Sequence, residues 1–156
     1  MCGIIGFTGR KPAKNILIDG LERLEYRGYD SAGIALLNDD DTLTIRKKAG
    51  RVSELRELCK DGEYSSTCGI GHTRWATHGG VTEVNAHPHV SGNVTLIHNG
   101  IIENYKELAA SLKTKGYTAI SETDTEVAAM LIDSLYDGDP FAALKEADKV
   151  LEGAYG

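Results

Sequence analysis

The chain lacks several features that would assign it to a class directly. It has no apolar run of about 18 residues and no secretion-type apolar segment, so neither a membrane-spanning helix nor export is indicated. Its three cysteines, Cys2, Cys59 and Cys68, are an odd number without metal-type spacing. There is no basic cluster of the kind that binds nucleic acids, and no internal repeat or low-complexity segment. These absences indicate a cytoplasmic protein with reduced thiols.

The chain is long enough to form one hydrophobic core. Its 156 residues fit a single domain spanning 1–156, and a domain of this size buries roughly 68 to 70% of its unfolded surface. The net charge of −6 is spread along the sequence, and residues 39–41 (DDD) form its only tight acidic run. Because this run separates two strand-like segments, a solvated turn is favoured over a cation site.

The hydrophobic patterns predict an α+β chain. Strands are expected at residues 2–8, 35–37, 43–45, 67–74, 94–98 and 118–120, with another beginning within 153–156. Helices are expected at residues 12–25, 53–59 (capped by Ser53) and 103–115, then from a Thr123/Glu126 capping box, and after Asp139-Pro140 with Phe141 and Leu144 on the apolar face. Residues 26–33 and 75–89 are expected to be loops. Several strands are too close in sequence for βαβ crossovers, which favours antiparallel or mixed sheets covered by helices.

Cys2 directly follows the initiator methionine. Removal of Met1, which is usual before a small residue, leaves a thiol and a free α-amino group on the same Cα. An α-amino group has a pKa of about 7.7 to 8.0 and a thiol about 8.5, so the amine can relay the proton of the thiol. The residue would then carry a nucleophile together with its base. The alternative is that Cys2 opens a buried strand as a small apolar residue.

A thiol that cleaves an amide needs donors for the oxyanion that its attack creates. Asn99 and Gly100, at the end of a predicted strand, offer a side-chain amide and a backbone N–H. The conformational freedom of glycine lets these two donors point the same way. The same dipeptide is also a common turn former, and both interpretations remain open from the sequence.

An amino-acid substrate also needs its charges matched. Arg74, at the end of a strand beside the polar loop, offers a planar fork for an α-carboxylate, and Asp124 offers a partner for an α-ammonium. The alternatives are a surface ion pair for Arg74 and, for Asp124, a favourable interaction with the helix N-terminus.

Histidines are concentrated in and around the loop at residues 75–89. A zinc site is disfavoured, because Cys or carboxylate ligands do not accompany them at the usual spacing. Hydrogen bonding by the loop and packing of ring edges account for them, and no metal or other cofactor is expected. The five histidines are His72, His78, His87, His89 and His98.

Six stretches of the chain, taken in order, resemble the glutaminase domains of glucosamine-6-phosphate synthases, which are class II amidotransferases of the N-terminal-nucleophile type. The stretches are residues 1–6 (MCGIIG), 24–33 (LEYRGYDSAG), 71–79 (GHTRWATHG), 85–89 (NAHPH), 98–104 (HNGIIEN) and 121–126 (SETDTE). The second and third of these are similar to the glucosamine branch in particular. The resemblance covers the whole chain and implies hydrolysis of the glutamine side-chain amide without a cofactor.

The resemblance also implies a four-layer α/β/β/α sandwich of two antiparallel sheets and a role for each matched residue. Cys2 is expected to attack the amide with its own α-amino group as base, and Asn99 and Gly100 to form the oxyanion hole. Arg27 is expected to buttress the loop of the nucleophile. The residues implied in substrate binding are Arg74 at the carboxylate, Asp124 and the Gly100 backbone at the ammonium, Thr77 and His78 in the covering loop, and Trp75 as a gate on an ammonia channel.

Domains of this family are longer and are followed by a sugar-phosphate isomerase domain. The chain is therefore expected to be a truncated glutaminase domain, incomplete at its C-terminus, with an unpaired strand edge that favours self-association. Its ammonia would serve glucosamine 6-phosphate synthesis from fructose 6-phosphate. The alternatives are a catalytically silent glutamine-binding fragment, the glutaminase domain of another class II amidotransferase, and a His/Cys metal module.

Overall fold

A computed structural model gives the fold and describes residues 1–77 and 79–156. The chain forms two compact units. The first comprises Met1–Ala76 and Gly80–Pro88, and the second comprises Thr77–Gly79 and His89–Gly156.

The first unit is built on a four-stranded antiparallel sheet. In sequence its strands are β1 (Gly3–Thr8), β2 (Ser31–Leu37), β3 (Leu43–Ala49) and β4 (Cys68–Arg74), and their order across the sheet is β1-β4-β2-β3. Two helices, α1 (Ala13–Leu24) and α2 (Val52–Leu58), pack on the sheet. A 3₁₀ turn at Glu25–Arg27 follows α1. The hairpin of β2 and β3 around the exposed acidic run confirms the predicted solvated turn.

The core of the first unit lies between the helices and the sheet. Leu17 and Leu21 of α1 are fully buried, as the helical spacing predicts. Each fully buried side chain of this kind contributes about 1.5 to 3 kcal/mol to stability relative to the exposed state. The buried cluster is Ala13, Leu17, Ile18, Leu21, Ala32, Ile34, Leu36, Val52, Leu55 and Cys59.

Two predictions for the first unit are wrong. The loop predicted at residues 26–33 ends earlier, because β2 begins at Ser31. Gly33 lies inside that strand, where a Cβ would lie 2.1 Å from the His87 carbonyl oxygen. Glycine is needed here because the His87 backbone passes close to the strand, and not because the chain turns. Ser53 does not cap α2. The Glu25 carboxylate instead accepts a hydrogen bond from the Val52 N–H (2.7 Å) at the first turn of this helix.

Within its described residues, the second unit contains two short antiparallel strand pairs and three helices. Strands β5 (His89–Ser91) and β6 (Val94–Leu96) form one pair, and β7 (Gly100–Ile102) and β8 (Gly153–Tyr155) form the other. The helices are α3 (Tyr105–Thr114), α4 (Asp124–Leu135) and α5 (Pro140–Asp148). Their buried cluster is Leu112, Val127, Met130, Leu131, Ile132, Ala143 and Ala147.

The N-terminal caps of α4 and α5 follow the sequence prediction closely. The Thr123 side chain accepts a hydrogen bond from the Glu126 N–H (3.3 Å), and Asp139 accepts hydrogen bonds from the first N–H groups of α5. The reciprocal half of the predicted capping box differs. The Glu126 carboxylate accepts hydrogen bonds from the Ile120 and Ser121 N–H groups.

Other details of the second unit differ from prediction. Residues 118–120 form no strand; Ile120 is 83% exposed, and its N–H is bonded to a carboxylate. The strand predicted at residues 94–98 ends at Leu96, and β5 and β7 were not predicted. In α5 the small residues face the core, whereas Phe141 is 69% exposed and Leu144 is also exposed. In the described part of the chain, no helix is both long and apolar enough to cross a membrane.

Candidate active site

The surroundings of Cys2 are set by β4 and by the 3₁₀ turn after α1. The Trp75 N–H, just beyond β4, donates to the Cys2 Sγ at 3.4 Å. Arg27 Nε donates to the Cys2 carbonyl oxygen at 3.1 Å. The Gly3 N–H donates to Thr73 Oγ1 at 3.1 Å. Hydrogen bonds therefore hold the thiol and both polar atoms of the peptide that follows it.

The pKa of the Cys2 thiol lies above its usual value. Burial is the largest cause, and the charge of Asp30 acts in the same direction. The Trp75 N–H, the Met1 ammonium and the Arg74 guanidinium lower the pKa but do not offset burial. Near neutral pH the thiol is therefore mainly protonated and needs a base to become a nucleophile.

Arg74 is the last residue of β4, and its side chain is almost completely buried (3% exposed). Its Nη1 donates to the Gly80 carbonyl oxygen at 3.0 Å, and Asn85 Nδ2 donates to the same oxygen at 3.0 Å. The burial excludes the alternative of a surface ion pair. A buried planar guanidinium is suited to bind a carboxylate with charge-assisted hydrogen bonds.

Asp30 holds the bend that follows Arg74. Its N–H donates to the Arg74 carbonyl oxygen at 3.2 Å, and its carboxylate accepts a short hydrogen bond from the Ala76 N–H. The bend between these two bonds contains Trp75, whose N–H is directed at Cys2 Sγ. The Trp75 ring is about half exposed and packs edge-on against Tyr29, with 5.8 Å between the ring centroids.

The loop beyond Trp75 is described in part. Thr77 is exposed. His78, predicted to lie in the substrate-covering loop, falls outside the described residues.

Gly100 is the first residue of β7 in the second unit, and Asn99 directly precedes it. The Asn99 N–H and carbonyl both pair with Gly156, each at 2.9 Å. Because a trans peptide points its C=O and N–H in opposite directions, the Gly100 N–H is directed away from β8. Gly100 has φ +144°, and a Cβ there would lie 2.2 Å from the Ala154 carbonyl oxygen, so only glycine fits.

Asp124 is bound to the same edge of β7. Its side chain is 5% exposed in the first turn of α4, and its Oδ2 accepts a hydrogen bond from the Ile102 N–H at 2.9 Å. The N–H groups of Gly100 and Ile102 are two residues apart on one strand and therefore point to the same side. The position of Asp124 near the helix N-terminus also favours its negative charge, which agrees with the helix-terminus interpretation; the binding of an α-ammonium stays a prediction.

Each unit also contains a histidine contact. His98 Nδ1 is 2.9 Å from Thr125 Oγ1, and burial lowers the pKa of His98 although the charge of Asp124 opposes the shift. In the first unit, the rings of His72 and His87 are stacked with 3.9 Å between their centroids. Across residues 1–77 and 79–156, no three His, Cys, Asp or Glu side chains are grouped so as to hold a metal ion.

The predicted site residues are divided between the two units. Cys2, Arg27, Arg74 and Trp75 lie in the first, and Thr77, Asn99, Gly100 and Asp124 lie in the second. The sequence alone assigned no role to Thr73, Asp30 or Asn85. Thr73 accepts a hydrogen bond from the N–H that follows Cys2, the Asp30 N–H donates to the Arg74 carbonyl, and Asn85 shares the Gly80 carbonyl oxygen with Arg74. The only signal for them was their place in the motif stretches 24–33, 71–79 and 85–89.

Comparison with protein families identifies the class of the chain. The family model described as "Glutamine amidotransferase domain" matches residues 72–156, which is a little over half of the chain. The chain is a member of the glutamine amidotransferase domain family. The matched segment contains Arg74, Asn99, Gly100 and Asp124, whereas Cys2 lies before it.

Curated relatives align with this amidotransferase domain over its whole length. Enzymes named glutamine--fructose-6-phosphate aminotransferase [isomerizing] are 51% identical in Idiomarina loihiensis, covering 100% of the chain, and 52% identical in Thermus thermophilus, covering 99%. The chain spans about a quarter (26%) of the length of each relative.

Solved structures of amidotransferases share the fold of this domain. The glutamine phosphoribosylpyrophosphate amidotransferase of B. subtilis, complexed with ADP and GMP, is similar with a TM-score of 0.84 and 30% identity. A structure titled as the allosteric regulatory enzyme of purine biosynthesis has a TM-score of 0.85 and 31% identity. Each similarity covers 99% of this chain and 34% of the other. The predicted fold class, α+β with antiparallel sheets of the N-terminal-nucleophile type, is confirmed.

Proposed function

We propose that the chain hydrolyses the side-chain amide of glutamine to glutamate and ammonia, with Cys2 as the nucleophile. One observation supports this most directly. Trp75, whose N–H donates to the Cys2 thiol, directly follows the buried guanidinium of Arg74 in sequence. A nucleophile and a carboxylate-binding fork are thereby fixed to the same strand end, as hydrolysis of a small amino acid requires.

The reaction divides into two acyl transfers. The Cys2 α-amino group, exposed by removal of Met1, takes the thiol proton as Sγ forms a bond to the amide carbon of glutamine. The resulting ammonium gives a proton to the leaving nitrogen, and the C–N bond breaks. Ammonia departs, and the acyl group remains on Cys2 as a thioester. Water then attacks the thioester carbon and the amine takes its proton. The C–S bond breaks, the ammonium returns the proton to sulfur, and glutamate is released with the Cys2 thiol regenerated.

The other predicted residues serve this chemistry. Asn99 Nδ2 and the Gly100 N–H stabilise the oxyanion in both steps, and each such donor is worth about 2.7 to 4 kcal/mol in related chemistry. Arg74 binds the α-carboxylate of glutamine, and Asp124 binds its α-ammonium with help from the Gly100 backbone. The remaining residues keep the roles that the resemblance implies: Arg27 supports the loop of the nucleophile, Trp75 gates an ammonia channel, and Thr77 and His78 belong to the loop that covers the substrate. The Arg27 bond to the Cys2 carbonyl supports its buttressing role.

The relatives suggest where the ammonia goes. Their name couples glutamine to fructose 6-phosphate, so we infer that the longer protein passes ammonia to this sugar phosphate in a sugar-phosphate isomerase domain. The same inference makes this chain the ammonia-supplying half of glucosamine 6-phosphate synthesis. Self-association and a cytoplasmic location stay predictions.

Glutamine-dependent ammonia release tests the proposal. Met1-free protein is expected to release ammonia and glutamate in equal amounts, and Cys2→Ala to release neither while still binding glutamine. Cys68→Ala is the matched control, because both cysteines are half-buried thiols and it is the Cys2 thiol that accepts the Trp75 N–H. Folded, Met1-free protein without ammonia release, or a Cys2→Ala variant with parental activity, would contradict the proposal.

A further inference from the structure

We propose that Thr73 is a positioning residue for the nucleophile, acting through the peptide between Cys2 and Gly3. The inference rests on the proposed function, because it assumes that Cys2 performs the attack. The Thr73 hydroxyl is placed to fix the orientation of Cys2, while glutamine is bound by other groups.

Both polar atoms of the Cys2–Gly3 peptide are held by side chains. Arg27 Nε donates to its oxygen at 3.1 Å, and its N–H donates to Thr73 Oγ1 at 3.1 Å. Because a peptide is planar, these two bonds on opposite edges fix its rotation. The plane determines where the Cys2 Cα lies and hence the directions of its thiol and amine.

An N-terminal nucleophile needs such a constraint more than an internal residue does. After Met1 is removed, only one peptide bond attaches Cys2 to the fold, and chain termini are poorly ordered unless they are tied down. The β1 strand begins at Gly3, whose partner in β4 is Thr73, so Cys2 lies just outside the ladder. The Thr73 bond is therefore at the last paired position before the nucleophile.

The Thr73 hydroxyl is itself well fixed. The residue is fully buried in β4, and the β-branched side chain has few accessible rotamers. A Cβ at Gly3 would lie 2.5 Å from Thr73 Oγ1 and 2.7 Å from Leu24 Cβ, so the chain passes close to this oxygen. The buried N–H of Gly3 would lose its acceptor if the hydroxyl were removed.

Three variants of the otherwise unchanged protein separate positioning from stability. Thr73→Val is isosteric and removes the hydroxyl acceptor, whereas Thr73→Ser keeps it. Thr44→Val is the control: it makes the same substitution on β3, at a threonine that accepts a hydrogen bond from Asn38 (3.0 Å). Glutamine kcat and KM, the rate of Cys2 alkylation, and the melting temperature are measured for each.

Loss of orientation predicts that Thr73→Val lowers kcat about 10- to 100-fold with KM changed by less than about twofold. Thr73→Ser and Thr44→Val should keep kcat within about twofold of the parent, whatever their melting temperatures.

An active parent with Thr73→Val at parental kcat, or with a raised KM alone, overturns the role of Thr73 and leaves the proposed function standing. If Thr73→Val does not fold, a folded Thr73→Ser with kcat reduced more than about tenfold overturns it equally. A folded, Met1-free parent without glutaminase activity overturns the proposed function itself.

Discussion

Burial and hydrogen bonding shift the pKa of the Cys2 thiol in opposite directions. Burial raises the pKa, and the Trp75 N–H and the Arg74 charge lower it by a smaller amount. The thiol therefore loses its proton most readily to a base that is already in place. The α-amino group of the same residue is such a base once Met1 has been removed.

His98 makes a residue-scale prediction about the pH dependence of stability. Burial holds its pKa below the usual value of about 6.5, and the charge of Asp124 opposes this without reversing it. As pH falls below about 6.5, the unfolded chain binds a proton at this residue before the folded chain does, so the free energy of unfolding decreases. Its contribution is complete above that pH and is lost as pH falls through the lowered pKa.

Chemical denaturation of the parent and of His98→Asn, measured from pH 7.5 down to pH 5, checks this prediction. The parent should lose more stability than the variant over this interval, because asparagine does not titrate. Stability curves that remain parallel between the two proteins would contradict it.

At the scale of elements, the N-terminus of α4 carries Asp124, and Thr123 caps it. The Thr123 hydroxyl accepts a hydrogen bond from the Glu126 N–H, and it also lies 3.1 Å from His89 Nε2. Thr123→Ala should therefore lower the free energy of unfolding by about 1 to 2 kcal/mol, and Thr123→Ser by much less. Urea unfolding of the two variants and the parent is the measurement. Equal destabilisation by alanine and serine would assign the loss to the methyl group instead of the cap.

The elements that the sequence predicts well are those with a local signal. Helix α1 has a regular leucine spacing, and α4 and α5 have threonine and aspartate caps, all of which act within a few residues. Strands β5 and β7 have only three residues each, too few for a period to be recognised. Residues 118–120 have strand-like composition, but the Glu126 carboxylate binds their backbone in place of a neighbouring strand.

At the scale of the whole molecule, the sequence indicates candidate reactive residues more readily than the contacts that hold them. Cys2, Arg74 and Asp124 were predicted because their side chains are suited to a reaction and their order resembles one family. Thr73 and Asp30 were not assigned roles, because their contacts depend on strand register. Gly3 faces Thr73 across a separation of 70 residues, and no local pattern encodes that pairing.

Each compact unit has its own hydrophobic cluster and its own part of the predicted machinery. The first unit carries Cys2, the proposed nucleophile, and Arg74, and the second carries Gly100 and Asp124. The central claim is that Cys2 is the N-terminal nucleophile of a glutaminase.

Covalent labelling tests that claim most directly. The purified protein is treated with a glutamine-mimicking electrophile, with and without excess glutamine, and its intact and peptide masses are measured. The account predicts one adduct per chain, on Cys2 of molecules that lack Met1, with glutamine slowing the reaction and Cys59 and Cys68 unmodified. Folded, Met1-free protein that acquires no adduct on Cys2, or that is labelled equally on all three thiols, would contradict it.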